Sequence, residues 1–241
     1  ENELTDEEKA ALPYVMNYAN EYKVSPCLIM AVIRQESNFK ADANGGADVG
    51  YMQVTHDAAK DGGYTGTEQE WQEKDGLDPD LNIEYGTKYL MALNYIFSEG
   101  KLLIGDLKAT KVTDQTERLK FVLAAYNGGQ GRIATAQQLC KEEGDDPEKW
   151  DVVKNYLGEA GPSSEKAEII KKYVEQVIEG RDLIEGQRRG YEFFLTIRVP
   201  VGGASMPEEG EEGMPGFEAI FAIGGLLVVV TYLLRRRKKE G

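Results

Sequence analysis

The chain has 241 residues, 41% of them hydrophobic and 9% aromatic, which is enough to enclose a core and excludes a disordered polypeptide. Acids outnumber bases 42 to 28, and the net charge of -14 repels phosphate backbones, so nucleic acid is not an expected partner. A single histidine, His56, and two cysteines, Cys27 and Cys140, are too few soft ligands for a structural zinc site or a disulfide framework, and no metal is expected.

Residues 5–185 read as predominantly helix, with Gly- and Asp-rich connections and no set of alternating strands. A helix start is marked at Ser25-Pro26, where Ser25 can cap free amides and Pro26 is preset for the first turn. Along the helix to Ser37, Leu28, Val32 and Glu36 stand four apart with Ile29 and Ile33 beside them, so Glu36 ends an apolar stripe. A carboxyl in that place is partly desolvated, which raises its pKa toward what a proton donor needs near neutrality. Glu36 is therefore the candidate general acid, weighed against the commoner helix-end glutamate that turns to water.

The pairs Gly45-Gly46 and Gly128-Gly129 lack the preceding strand and downstream Lys-Ser/Thr of a phosphate cradle, and backbone shape explains them better. His56 reads as an exposed residue near a helix start, without a role. Asp42, Asp48 and Asp57 read as turn or cap residues, although one of them could act as a second carboxylate near Glu36. Of the aromatics Tyr51, Tyr64, Trp71, Tyr85, Tyr89 and Tyr95, the last three fall in a helical pattern and are expected inside. Tyr51 is then the candidate sugar-stacking platform.

Toward the C-terminus, Tyr191 to Val199 alternates apolar and polar residues as a half-buried strand would, making 186–201 a possible strand or extension. Residues 202–215 form an acidic Gly/Pro linker. Ala219 to Leu234 runs sixteen residues without a charge, and inclusion of Phe217 extends this to eighteen with Glu218 at the interface. Eighteen helical residues span ~27 Å, sufficient for a thin bilayer, so 216–241 reads as a transmembrane anchor with a basic tail. The cluster Arg235 to Lys239 marks the cytoplasmic side and places residues 1–200 outside. Export requires a leader, and the opening at Glu1 reads as a mature or trimmed form. In that setting Cys27 and Cys140 either pair or stay as buried thiols. The succession of Pro215-Gly216-Phe217, apolar helix and basic cluster resembles the PGF-type C-terminal sorting signal of archaeal surface proteins. That resemblance implies removal of the tail by an archaeosortase and attachment of a lipid.

Four motifs occur in order: Arg34-Gln35-Glu36-Ser37; Gly46-Ala47 with Gly50-Tyr51-Met52-Gln53; Asn82-Ile83 with Gly86 and Tyr89-Leu90; and Ala124-Ala125-Tyr126-Asn127-Gly128-Gly129. Together they resemble the soluble lytic transglycosylase family, related to goose-type lysozymes, over roughly residues 10–180. The resemblance implies the all-α lysozyme-like fold in a domain of residues 1–185. It makes Glu36 the acid and later the base, with Ser37 as its polar neighbour, and matches Gln53 to a substrate-contacting glutamine. Tyr126 and Asn127 match the motif that lines the family's cleft, and Tyr173 its late cleft tyrosine. Two departures stand out: Ile169 and Ile170 replace the family's Glu-Thr pair, and residues 98–116 are longer than its pattern, as a lid or a plain extension.

Most glycosidases use two carboxylates, ~5 Å apart for a nucleophile or ~6.5–9.5 Å apart for a water-activating base. The family instead uses the substrate's N-acetyl group, and its glutamate then activates the sugar's own 6-hydroxyl to close a 1,6-anhydro ring. The resemblance thus implies a cofactor-free, membrane-anchored cell-surface enzyme cutting β-1,4 bonds in an N-acetylated amino-sugar polymer, peptidoglycan-like or pseudomurein-like. The alternatives are a lysozyme-like hydrolase using water and one of the aspartates, and a non-catalytic glycan-binding module.

Overall fold

The computed structural model describes residues 4–161 and 163–188; the expected strand at 191–199, the linker at 202–215 and the membrane segment at 216–241 lie outside them. The described residues are predominantly helical, and no helix among them is long and apolar enough to cross a membrane. They fall into two compact units, one formed by residues up to Met91 together with Glu175 onward, the other by Ala92–Val174.

In the first unit, α1 (Asp6–Tyr22) opens with a capping box in which the Thr5 hydroxyl accepts from the Glu8 amide and the Glu8 carboxylate accepts from the Thr5 amide. The same carboxylate receives Arg34 of α2 (Pro26–Ser37) at 2.6 Å, which fixes α1 against α2. Every residue from Pro26 to Ile33 is buried, so α2 is a core helix with no polar face until its last turn. Pro26 sits at its start as expected, but the Ser25 side chain makes no capping bond. The Ser25 carbonyl accepts from the Leu28 and Ile29 amides instead, and Pro26 has no N–H to satisfy.

After α2 the chain forms a small antiparallel hairpin, β1 (Asp48–Val49) paired with β2 (Val54–Thr55), whose connection is the Gly50-Tyr51-Met52-Gln53 motif. Then come α3 (His56–Asp61), α4 (Glu68–Glu73) and α5 (Pro79–Glu99). Trp71 of α4 is fully buried, donates its indole N–H to the Val54 carbonyl at 2.8 Å and meets Tyr64 and Tyr85 edge-on. His56 belongs to this cluster rather than to open surface, being half-buried with Nε2 3.0 Å from the Gly66 carbonyl oxygen and its ring edge-on to Tyr64.

In the second unit, residues 98–116, longer than the family pattern, are ordered and packed. They form the hairpin β3 (Leu102–Ile104) and β4 (Leu107–Lys108), followed by a segment leading into α6 (Gln115–Gly128). Leu103, Leu107, Ala109 and Val112 are buried, and Gln137 of α7 (Gln130–Glu142) pins the segment by pairing its carboxamide with both the N–H and the C=O of Thr110. Arg118 of α6 adds bonds to Asn94 Oδ1 and the Val112 carbonyl. A ring cluster of Phe97, Phe121 and Trp150 fills the centre, Trp150 opening the short α8 (Trp150–Val153), and α9 (Ser164–Arg188) follows. Tyr95 departs from expectation: it is 42% exposed, because it lies on the outer side of α5 where the Lys101 ammonium covers its ring at 4.3 Å. Cys27 and Cys140 are both buried, and no disulfide joins them.

Candidate active site

Glu36 occupies the last turn of α2, half-buried, directly beyond the fully buried Leu28, Ile29, Val32 and Ile33. The helix ends sharply because Asn38 and Phe39 both adopt left-handed backbone conformations, at φ 50° and 61°. Ser37 is buried and does not face a ligand; its hydroxyl proton lies between the Ile33 carbonyl at 3.1 Å and the Tyr51 carbonyl at 2.8 Å. That second bond ties the turn carrying Glu36 to the β1–β2 connection.

The connection is locked from below by Asn82, a fully buried residue in the first turns of α5. Its Oδ1 accepts from the Met52 amide at 2.8 Å, and its Nδ2 donates to the Val49 carbonyl at 2.8 Å and the Gly76 carbonyl at 2.7 Å. Gly50, at φ 76°, allows this approach, since a Cβ there would lie 2.4 Å from both Asn82 Nδ2 and the Gly76 carbonyl oxygen. Gly86 likewise makes room for Met52, whose Sδ would lie 2.5 Å from an added Cβ. The Asn-Ile and Gly-Tyr-Met-Gln motifs are thus the two halves of one contact, a role their separation in sequence conceals.

Gln53 is half-buried, with φ 46°, and its Nε2 donates to the Ala43 carbonyl at 3.1 Å and the Gly50 carbonyl at 2.9 Å. Both amide hydrogens are therefore committed to shaping the loop, and Oε1 is the atom it can offer a sugar hydroxyl. Tyr51 is only 5% exposed; burial first, then the charges of Tyr14 and Glu7, hold its phenol above the usual range. A stacking platform needs an open ring face, so at this position Tyr51 contributes packing rather than the platform expected of it.

Asp42 and Asp57 are exposed, and Asp48 is a half-buried β1 residue rather than a turn. Sequence reasoning missed Asp61, at the end of α3, whose carboxyl is pushed up to about 7 by burial and by the Asp57 charge, against the opposing pull of Lys60. Its only sequence signal is the i, i+4 spacing from Asp57.

In the second unit Tyr126 and Asn127 are half-buried in the last turn of α6. Gly129, at φ 82°, then redirects the chain into α7, and the Gly129 amide closes on the Ala125 carbonyl at 2.8 Å. Asn127 Oδ1 accepts from Lys166 Nζ at 3.0 Å. Ile170, at a position where the family pattern has a polar residue, is buried over Gly128, where a Cβ would lie 2.5 Å from its Cδ1. Tyr173 follows one turn later at 4% exposure, inside the unit, and offers no open ring face. Lys166 was not singled out from sequence, because its partner lies 39 residues away.

Residues 13–148 match the family described as Transglycosylase SLT domain, more than half of the chain. The chain belongs to the transglycosylase SLT family. The matched segment holds the Glu36, Gln53, Asn82 and Tyr126-Asn127 positions and stops before Tyr173. Residues 214–237 match the PGF-CTERM motif. The SLT segment is similar to membrane-bound lytic murein transglycosylase F of Desulfosudis oleivorans, 33% identical over 146 residues, covering 60% of this chain and 28% of that protein. It is also similar to membrane-bound lytic murein transglycosylase C of Cronobacter sakazakii, 32% identical over 134 residues, covering 54% and 34%. The chain therefore spans about a third or less of the length of these relatives. Among solved structures, an inactive variant of lytic transglycosylase Slt from Pseudomonas aeruginosa is 22% identical with TM-score 0.48, covering 74% of this chain and 24% of that one. The 70 kDa soluble lytic transglycosylase of Escherichia coli is 20% identical with TM-score 0.49, covering 76% and 25%.

Proposed function

We propose that the chain is a lytic transglycosylase that cuts β-1,4 bonds in an N-acetylated amino-sugar polymer, with Glu36 as its one acid and base. The observation that carries this reading is the position of Glu36, half-buried in the last turn of a helix whose residues from Pro26 to Ile33 are all buried, within a segment that belongs to the SLT family. In this mechanism the protonated Glu36 gives its proton to the glycosidic oxygen as the bond to the anomeric carbon breaks. The N-acetyl carbonyl oxygen of the same sugar bonds to that carbon and carries the developing positive charge. The Glu36 carboxylate then takes the proton of the 6-hydroxyl, whose oxygen displaces the acetamido oxygen to close the 1,6-anhydro ring. Acid is regenerated, and no water or cofactor is consumed.

In this reading Gln53 Oε1 is the first unit's polar contact to the glycan and the Tyr126-Asn127 pair is the second unit's, while Ser37 holds the turn on which Glu36 stands. Tyr51 and Tyr173 support those contacts from inside their units. The catalytic domain occupies residues 1–185, and the PGF-CTERM match supports an anchor at 216–241, joined by the 202–215 linker, that places the domain outside the cell. An archaeosortase would process such a tail. The substrate is a wall glycan, peptidoglycan-like or pseudomurein-like. Incubation of the chain with purified murein sacculi should release soluble saccharides, and Glu36→Gln should cut release by at least about a hundredfold. Equal release by the two proteins would contradict the proposal.

A further inference from the structure

An asparagine beside a sugar can present either an acceptor or a pair of donors, and which one it presents decides what it recognises. For Asn127 the choice is made by its partner. An ammonium has only protons to give, so Lys166 Nζ, 3.0 Å away, must meet the carbonyl oxygen Oδ1. With Oδ1 held by the ammonium, Nδ2 is the atom of the carboxamide that remains to meet a ligand oxygen.

Lys166 is held in place by its own surroundings. Its backbone amide donates to the Ser163 hydroxyl at 3.2 Å, at the start of α9, and the Ser163 carbonyl accepts from Arg132 Nη2 at 2.6 Å. Arg132 is buried in α7 and also grips the Leu157 carbonyl. One turn beyond Lys166, Ile170 seats on Gly128, the residue next to Asn127. These contacts fix the first two turns of α9 against the end of α6 and bring the ammonium to a defined atom of a defined amide.

We propose that Lys166 is a positioning residue that orients the Asn127 carboxamide so that Nδ2 donates to an acceptor oxygen on the bound sugar. The charge on Lys166 also polarises the amide, which strengthens Nδ2 as a donor. The inference rests on the reading of Asn127 as a sugar contact, and its test separates failure of that reading from failure of the inference.

The measurement compares the full chain with Lys166→Met, Lys166→Arg, Asn127→Ala and the K166M/N127A double variant, using sonicated murein sacculi as substrate. The side-chain amide signals of Asn127 are followed by nitrogen-15 NMR. K166M should lower kcat/KM by about tenfold at an unchanged thermal midpoint, and K166R should restore most of it. In the Asn127→Ala background K166M should have no further effect. The Asn127 amide signals should move in K166M and return toward their original positions in K166R. Wild-type rates in K166M, an equal loss in the Asn127→Ala background, or unmoved amide signals would each overturn the inference. If the native chain releases nothing from murein, the catalytic reading is what fails, and the amide signals alone then decide whether Lys166 sets Asn127.

Discussion

The Gly50–Gln53 connection and the Tyr126–Gly129 turn hold motifs of equal prominence in the sequence, yet opposite physical means keep them in place. The first is held by a neutral, fully buried amide, Asn82, whose three hydrogen bonds all end on main-chain groups. The second is held from the flank by a half-buried ammonium acting on the motif's own side chain. A buried, saturated network is costly to disturb because each orphaned backbone group keeps its full desolvation penalty. A half-buried ion–amide contact is cheap in stability and sets the direction of one side-chain amide. On the proposed function, one motif serves architecture and the other serves recognition.

The sharpest way to break that comparison is to remove the two asparagines. Asn82→Ala should destabilise the chain by about 4 kcal/mol in urea titration, since it strands the Met52 amide and the Val49 and Gly76 carbonyls together. Asn127→Ala should stay within about 1 kcal/mol of the native chain while losing activity. Similar stability losses in the two variants would dissolve the distinction.

Gly86→Ala probes the same lock from the α5 side. An added Cβ would lie 2.5 Å from Met52 Sδ and 2.9 Å from Met52 Cβ, and Met52 is fully buried, so the cost should be about 2 kcal/mol. Gly46 has a positive φ but open space around it, and its alanine variant should cost about 1 kcal/mol from backbone strain alone.

A further effect concerns pH. Asp61 faces Asp57 and Lys60 on α3, and the end of that helix packs on Tyr85 and Lys88 of α5, with Tyr89 near enough to feel the Asp61 charge. Its folded pKa of about 7 lies above the unfolded carboxyl value of 3.8. Its contribution is thus full below about pH 4 and is lost as pH rises through about 7. Asp61→Asn should raise the thermal midpoint at pH 8 by a few degrees and flatten its rise on going from pH 8 to pH 5. An unchanged pH profile would show that the carboxyl titrates as it does in water.

Much of this arrangement was legible in the sequence where the signal is local. Pro26 marked the start of α2, and the four-residue spacing of Leu28, Val32 and Glu36 placed the carboxyl at the rim of a buried stripe, as found. Long-range contacts were not legible. The Asn82–Met52 bond spans 30 residues and the Lys166–Asn127 bond 39, and no local periodicity encodes either. Side-chain direction misled in both senses: Tyr51 turns inward within its hairpin connection, and Tyr95 turns outward beneath Lys101 although it falls in a helical pattern. The Ser25 cap failed for a local reason, because the residue's own carbonyl already takes the first-turn amides.

The central claim, that Glu36 passes a proton to and from the sugar without recruiting water, is tested most directly by digesting murein in water labelled with heavy oxygen and weighing the released saccharides. The account predicts anhydro ends that carry no label, with their formation abolished in Glu36→Gln. Labelled reducing ends would mean that water attacks the anomeric carbon, and would contradict it.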